Sequence, residues 1–303
     1  MTQPIPRTIA EYLAQLRKAL RGADPALVQD ALYDAEDHLR SELAENPGLD
    51  EAAVLARIVT SYGAPDEVAA IYVDQEVQVA QALRAPPPPP RHSALGRFFG
   101  VAADPRAYAA LFYMLLSLAT GIFYFTWAVT GIALSLGLSV LIFGIAFAVL
   151  FFGTVRVLSL VEGRLVEVML GERMPRRPQY ADRAKPLWQR IREMFADPRT
   201  WSTLLYMLLM LPLGVFYFAL ATCGIALSLG LLFAPVLQFL AWSGAIDGGL
   251  VFDGEAVVAP LLLAPLAFLL GVVLLFSMLH LARGIGRLQG NLAKHLLVKT
   301  AAA

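Results

Sequence analysis

The heptapeptide GIALSLG occurs twice in this chain, as Gly131 to Gly137 and as Gly224 to Gly230. The two copies stand 93 positions apart (224 minus 131). The same offset relates Asp104-Pro105-Arg106 to Asp197-Pro198-Arg199, Tyr113-Met114-Leu115-Leu116 to Tyr206-Met207-Leu208-Leu209, and Phe123-Tyr124-Phe125 to Phe216-Tyr217-Phe218. Ordered similarity at a fixed offset indicates one duplicated unit.

The duplicated segments are long and uncharged. No charged residue lies between Arg106 and Arg156 or between Arg199 and Asp247, and residues 256–282 are also uncharged. Each run exceeds the roughly 20 apolar residues that cross a bilayer as a helix. The whole chain is 58% hydrophobic and 16% charged, which is far from the roughly 25% charged residues of a soluble domain. These features predict an integral membrane protein.

The second unit contains an insertion. Val161, Gly163 and Leu165 match Leu288, Gly290 and Leu292 at an offset of 127 (288 minus 161). This offset exceeds the first one by 34 (127 minus 93), so about 34 residues are inserted, at roughly 232–264. The insertion includes an Asp-Gly pair, Asp253-Gly254, between short apolar segments, which predicts a small β-hairpin.

Each unit is expected to form a helical hairpin, with GIALSLG either shaping its tip or letting two helices approach closely. Basic residues are concentrated in 156–199, which holds ten Lys/Arg, and at the C-terminal end. Because Lys and Arg near span ends favour the cytoplasm, we predict four spans in a bacterial inner membrane, both termini cytoplasmic and the insertion outside. Whether Gly224 to Trp242 spans, re-enters or lies on the membrane stays open. The amphipathic tails near 160–170 and 286–297 are expected to lie along the inner membrane surface.

The N-terminal residues 1–85 have a different composition. Residues 1–90 hold 7 Lys/Arg against 14 Asp/Glu, so an acidic head precedes a basic membrane part. Thr8 with Glu11 has the spacing of a capping box, Asp24-Pro25 and Asp50 begin further helices, and Pro65 begins a fourth. The head is thus expected to be a small four-helix domain. Pro86 to Pro90, within a linker at 86–97, should form a polyproline spacer.

The head resembles the HAAS family of bacterial helical signalling domains. The similarity is carried by Tyr33-Asp34-Ala35-Glu36-Asp37-His38-Leu39 and by Tyr62-Gly63-Ala64-Pro65-Asp66-Glu67-Val68-Ala69. The family is associated with PadR-type regulators, so the resemblance implies a protein-interaction role without chemistry. The candidates for partner binding or for a hinge are therefore Gly63, Pro65, Glu67, Glu36 and Asp37.

Residues 100–298 are similar to the putative-sensor domain of bacterial membrane signalling proteins. The similarity rests on the duplicated Asp-Pro-Arg, Phe-Tyr-Phe and GIALSLG segments and on Leu281-Ala282-Arg283-Gly284. The expected organisation is a first hairpin with its tail at 98–172, a basic connection at 173–196 and a second hairpin with its tail at 197–299. The fold class is therefore all-α, with a short outer β-hairpin.

Nothing in the sequence predicts an enzyme, a cofactor or a metal site. His38 and His92 belong to the head and the linker, and His280 and His295, near the end of the last span, have no neighbouring acid or cysteine at ligand spacing. A single cysteine, Cys223, excludes an intramolecular disulfide. The spans hold no acid, base or charged residue deep enough to suggest ion or proton transport. The basic run from Met174 to Arg192 is interpreted first as a lipid-facing surface and second as a docking site for the acidic head.

The predicted function is a sensor or signalling adaptor that couples an envelope or membrane stimulus to a cytoplasmic protein, a transcriptional regulator. Membrane lipid is the other partner, direct nucleic-acid binding is not expected, and homo-oligomer formation is left open. Candidate outer sensing residues are Trp242, Asp247, Asp253 and Glu255. The alternative is a carrier or accessory subunit for a lipid or apolar compound, with a groove lined by Phe123, Tyr124, Phe216 and Tyr217.

Overall fold

A computed structural model describes residues 6–83, 93–140, 143–177, 187–245, 250–252, 255–257 and 263–298. The head contains the four helices expected, α1 (Ile9–Ala19), α2 (Pro25–Glu45), α3 (Glu51–Ser61) and α4 (Pro65–Leu83). The Thr8 hydroxyl accepts a bond from the Glu11 amide, and the Asp24 carboxylate accepts one from Ala26, so the sequence caps begin α1 and α2. One apolar core joins the four helices, centred on Tyr12, Leu16, Leu39, Leu55 and Ile58.

The membrane part is also helical. Its helices are α5 (Ala94–Phe99), α6 (Pro105–Gly137), α7 (Phe143–Leu170), α8 (Leu187–Ala196), α9 (Pro198–Trp242) and α10 (Ala264–Leu297). Among the described residues, α6, α7, α9 and α10 are long and apolar enough to cross a membrane. The predicted hairpin in the insertion is present: strands β1 (Leu250–Phe252) and β2 (Glu255–Val257) pair antiparallel.

The duplication is visible in the packing as a pseudo-two-fold. A Cβ on Gly121 would collide with the backbone of Met210, and a Cβ on Gly214 would collide with the backbone of Ser117. The two contacts are equivalent under the duplication, because Ser117 and Gly121 of the first unit correspond to Met210 and Gly214 of the second at an offset of 93. Ion pairs repeat as well: Arg156 lies 3.6 Å from Asp197, and Arg283 lies 3.1 Å from Asp104. Glycine is needed at the crossing because α6 and α9 touch backbone to backbone.

The two hairpins point in opposite directions. Gly121 lies against Met210 while Ser117 lies against Gly214, and Trp201 at the start of α9 lines the same groove as Ile132 near the end of α6. Helices α6 and α9 are therefore antiparallel. First helices that both cross the bilayer completely from one membrane surface would instead be parallel.

GIALSLG acts through close helix packing. Its first copy ends α6, next to the hairpin tip, but its second copy lies inside α9, which continues to Trp242. A tip role for both copies is thus wrong, and Gly224 to Trp242 is part of one continuous helix. In both copies the first glycine faces the following long helix, where a Cβ on Gly131 would strike Phe151 and one on Gly224 would strike Met278.

The amphipathic tails do not lie apart from the bundle. Residues 160–170 continue α7 and residues 286–297 continue α10 without a break. Val166, Ala293 and Leu297 are buried in the main apolar cluster of the membrane part. The apolar side of each tail is satisfied by the other helices, which is why the predicted position along the membrane surface is wrong.

Candidate functional site

The acidic head is docked on the membrane part. Its docking face consists of Asp24, Gln29, Asp30 and Asp34 on α2 and Glu76 on α4; the basic surface that receives it consists of Arg173, Arg176, Arg177, Arg199 and Lys294. Pro25 fixes the start of α2, so that Asp24, Gln29, Asp30 and Asp34 fall along its N-terminal half. Within the basic run from Met174 to Arg192, Arg176 and Arg177 contact the head, as the second of the two sequence interpretations expects for this part of the run.

Asp30 is the centre of the contact. Its carboxylate is 5% exposed and accepts backbone N–H bonds from Arg176 at 2.7 Å and Arg177 at 2.9 Å. The guanidinium of Arg173 lies 3.4 Å away and also pairs with Glu76. Burial raises the pKa of Asp30, against the lowering effect of these bonds, and burial also lowers the pKa of Arg173. The burial of an acid together with a base is less unfavourable than the burial of either alone, because each charged group is the partner of the other.

Weaker contacts surround Asp30. The Arg177 guanidinium lies 3.0 Å from Asp34, and the Gln29 amide donates to the Arg177 carbonyl at 2.8 Å. Arg199 at the start of α9 donates to Gln29 at 2.7 Å, and Lys294 near the end of α10 lies 2.5 Å from Asp24. The docking face therefore touches three separate segments of the membrane part, and a shift of one of them against another changes the surface that the head meets.

The residues singled out as partner-binding or hinge candidates lie outside the docking face. Gly63 has a φ of 113° and accepts a bond from the Tyr12 hydroxyl, and the Glu67 carboxylate accepts one from the Ala64 amide. Gly63, Pro65 and Glu67 thus build the junction between α3 and α4, where a positive φ favours glycine. On α2, Glu36 pairs with Arg40 and Asp37 is exposed.

A second polar site lies inside the membrane part and was missed by the sequence analysis. Glu162 on α7 is 2% exposed and accepts bonds from the hydroxyls of Tyr113 at 2.8 Å, Tyr206 at 2.7 Å and Tyr124 at 3.0 Å. Glu162 is a buried acid within α7, in a segment whose apolar spacing beside charged residues predicts an amphipathic tail.

Gln289 completes this buried polar cluster. Its carbonyl oxygen accepts from the Tyr217 hydroxyl at 3.0 Å, and its amide donates to the Tyr206 hydroxyl at 3.1 Å. The offset of 127 that marked the insertion also relates Glu162 to Gln289 (289 minus 162), and Tyr124 is the duplicate of Tyr217. The repeated tyrosines with a repeated Glu/Gln position were the signal that could have located the cluster.

The proposed apolar groove residues do not line one wall. Phe123 and Phe216 are exposed, whereas Tyr124 and Tyr217 point inward to the polar cluster. Of the sensing candidates, Trp242 is 72% exposed at the end of α9. Asp247 and Asp253 lie outside the described residues, and for Glu255 only the backbone, in β2, is described. Within the described ranges no cluster of His, Cys, Asp or Glu has the arrangement of a metal site.

Comparison with known families agrees with both parts of the chain. The sequence model of the family described as HAAS matches residues 11–71, and that of the family described as "Putative sensor" matches residues 113–297. No curated protein and no solved structure matches the chain. The sensor match covers more than half of the 303 residues and includes the buried polar cluster and most of the basic surface. The chain therefore belongs to the Putative sensor family, with a HAAS domain at its N-terminal end.

Proposed function

We propose that this protein is a membrane signalling adaptor in which docking of the head on the basic surface holds the head, with a cytoplasmic protein bound to it, against the membrane part until a stimulus releases them. The observation that carries this proposal is the burial of Asp30 against Arg173 and the amides of Arg176 and Arg177. A stimulus that moves α7, α9 or α10 relative to one another alters this contact, because the basic surface is assembled from all three segments.

Docking of this kind is suited to a switch. Charged contacts between partly exposed groups are individually weak and are screened by salt, whereas the buried Asp30 set is strong only while its geometry is kept. Loss of that geometry leaves an acid and a base without partners. The docked and released states therefore respond steeply to a small displacement of the basic surface.

The partner of the head is proposed to be a PadR-type transcriptional regulator. Support comes from the HAAS match and from the position of Glu36, Asp37 and the junction Gly63 to Glu67, which make no contact with the basic surface in the part of the chain that the structure describes. Direct binding of nucleic acid is not part of the proposal, because the head is acidic and would repel phosphates.

A co-purification or two-hybrid assay with the regulator tests the proposal. Changing Gly63 and Pro65 to alanine should abolish partner binding in every condition, because Gly63 has a positive φ and Pro65 starts α4. Asp253→Asn with Glu255→Gln, which removes charge at nearly constant volume, should instead change only the response to an envelope stimulus. Unchanged binding and response in the head variants would contradict the adaptor proposal.

Orientation is proposed from charge together with the head contacts. Arg173, Arg199 and Lys294 all touch the head, so they lie on its side, and the positive-inside preference places that side in the cytoplasm of a bacterial inner membrane. If the head contacts set the orientation, reporter fusions after Glu172 and after Thr300 should both report cytoplasm, and a fusion near Asp253 should report the exterior. Fusions after Glu172 and Thr300 that report opposite sides would contradict this orientation and show that the antiparallel α6 and α9 cross the bilayer from opposite surfaces.

A lipid or apolar-compound carrier remains the second candidate. Exposed Phe123 and Phe216 are the surface on which it would depend. If alanine at both positions removes the cellular phenotype while head variants behave as wild type, the carrier function replaces the adaptor function.

A further inference from the structure

An apolar groove opens beside the tip of the first hairpin. It lies between the end of α6, the start of α7 and helix α8, with a volume of about 460 Å³. Its walls are formed by Ile132, Leu136, Ile145, Phe151, Phe152 and Phe195, and its rim includes Trp188, Trp201 and Arg192. This volume is within the roughly 300–1,000 Å³ of small-molecule sites. None of the residues of the buried polar cluster lines it.

The pseudo-two-fold supplies an internal comparison for this groove. In the second unit the equivalent place is filled by aromatic rings: Phe98 and Phe99 from α5 pack on Phe276 of α10 with centroids 5.9 and 4.8 Å apart, and His280 stacks on Phe98 at 5.5 Å. At offsets of 93 and 127, the first unit has Ile191, Arg192, Val149 and Gly153 at these four positions. A Cβ built on Gly153 meets nothing within 4 Å. Two of these four positions, Ile191 and Arg192, line the groove, so it lacks the rings that Phe98 and Phe99 supply at the equivalent place.

Two polar groups in the groove have no partner among the described residues. The Ser135 hydroxyl is buried and has no hydrogen-bond partner among the described residues. Its duplicate Ser228 donates to the Gly224 carbonyl at 2.7 Å. Arg192 at the rim of the groove also has no ion-pair partner among the described residues. A buried hydroxyl without a partner is unfavourable unless a ligand or water satisfies it.

We propose that the groove binds one acyl chain of an anionic membrane lipid, with the lipid phosphate on Arg192. The walls match a hydrocarbon chain, the ester region of the lipid reaches the depth of the Ser135 hydroxyl, and the guanidinium is complementary to a phosphate. Tryptophans at a rim are typical of the boundary between hydrocarbon and headgroups. This assignment does not depend on the adaptor function.

The test uses vesicles of phosphatidylcholine that contain a photoactivatable phosphatidylglycerol, compared with the same probe attached to phosphatidylcholine. In the wild type, adducts from phosphatidylglycerol should map to α8 and the end of α6 and exceed those from phosphatidylcholine at least fivefold. Arg192→Gln should reduce this preference to near onefold. Filling the groove as in its twin, with Ile191→Phe and Arg192→Phe together, should remove the adducts from α8 for both probes.

A reciprocal variant distinguishes loss of lipid binding from loss of folding. Phe99→Arg with Phe276→Val introduces into the second unit the residues that the first unit has at these positions. This variant should gain phosphatidylglycerol adducts on α5 and α10. A misfolded protein would not show such a gain. Equal labelling by both probes in the wild type, unchanged by Arg192→Gln and by the filled groove, would overturn the proposal and show that only bulk lipid contacts this surface.

Discussion

Replacing Asp30 with lysine is expected to detach the head from the membrane part. The change removes the acceptor of the Arg176 and Arg177 amides and places a second cation beside Arg173. Breaking a buried charge pair in this way costs about 3–5 kcal/mol, which lowers the docking equilibrium roughly a hundredfold or more. The peripheral contacts of Asp24 and Asp34 are partly exposed and compensate little.

The measurement is retention of the head after the chain is cut. A protease site inserted between Pro86 and Pro90 separates head from membrane part, and the cut head should sediment with membranes in the wild type but stay in solution for Asp30→Lys. Asp37→Lys is the matched control, since it makes the same charge change on the exposed side of the same helix. If the two variants sediment equally, Asp30 does not hold the head.

Replacing Glu162 with leucine is expected to destabilise the membrane part severely. Three tyrosine hydroxyls from α6 and α9 lose their acceptor, and each buried donor left without a partner costs about 1–3 kcal/mol. Because Tyr113 and Tyr206 keep contacts with Gln289, the net loss should be about 3 kcal/mol. For a protein of this size, that corresponds to a midpoint of thermal unfolding roughly 6–12 °C lower.

The unfolding series should include Glu162→Gln and Tyr124→Phe, measured in the same detergent. Glutamine keeps an acceptor oxygen, as its duplicate Gln289 does, and should lose less stability than leucine. Tyr124→Phe removes a single bond, worth about 1 kcal/mol. A leucine variant that unfolds no earlier than Tyr124→Phe would show that the carboxylate does not hold the three tyrosines together.

Much of the fold could be predicted because local signals determine it. The caps at Thr8, Asp24 and Pro65 begin helices where the sequence placed them, and the uncharged runs became the long helices of the membrane part. The offsets of 93 and 127 (224 minus 131 and 288 minus 161) located the insertion. The same offsets relate the two ion pairs of the membrane part, because the Arg156–Asp197 pair corresponds to the Arg283–Asp104 pair.

What could not be predicted depends on how the elements pack. The sign of a charge near a helix end indicates a side of the membrane but not whether α6 and α9 run parallel or antiparallel. Glu162 has polar and charged neighbours in sequence, and only the convergence of three tyrosines from two other helices makes it a buried acceptor. In the same way, Asp30 is one acid among 14 in residues 1–90, and its burial requires the backbone of Arg176 and Arg177.

The docked head is tested most directly by a cross-link between Gln29→Cys and Arg177→Cys in a chain whose single cysteine, Cys223, is changed to serine. The Gln29 amide reaches the Arg177 carbonyl, at 2.8 Å, through the length of a glutamine side chain, so a short bifunctional thiol reagent, which spans more than the roughly 7 Å between Cα atoms that a disulfide allows, joins the two new thiols. After treatment of membranes with this reagent and cutting between Pro86 and Pro90, we expect the head to remain attached to the membrane part on a gel. Addition of Asp30→Lys should prevent this link, and a control pair of Asp37→Cys with Arg177→Cys should not form it. A link that forms equally in all three chains, or in none, would contradict the docked head.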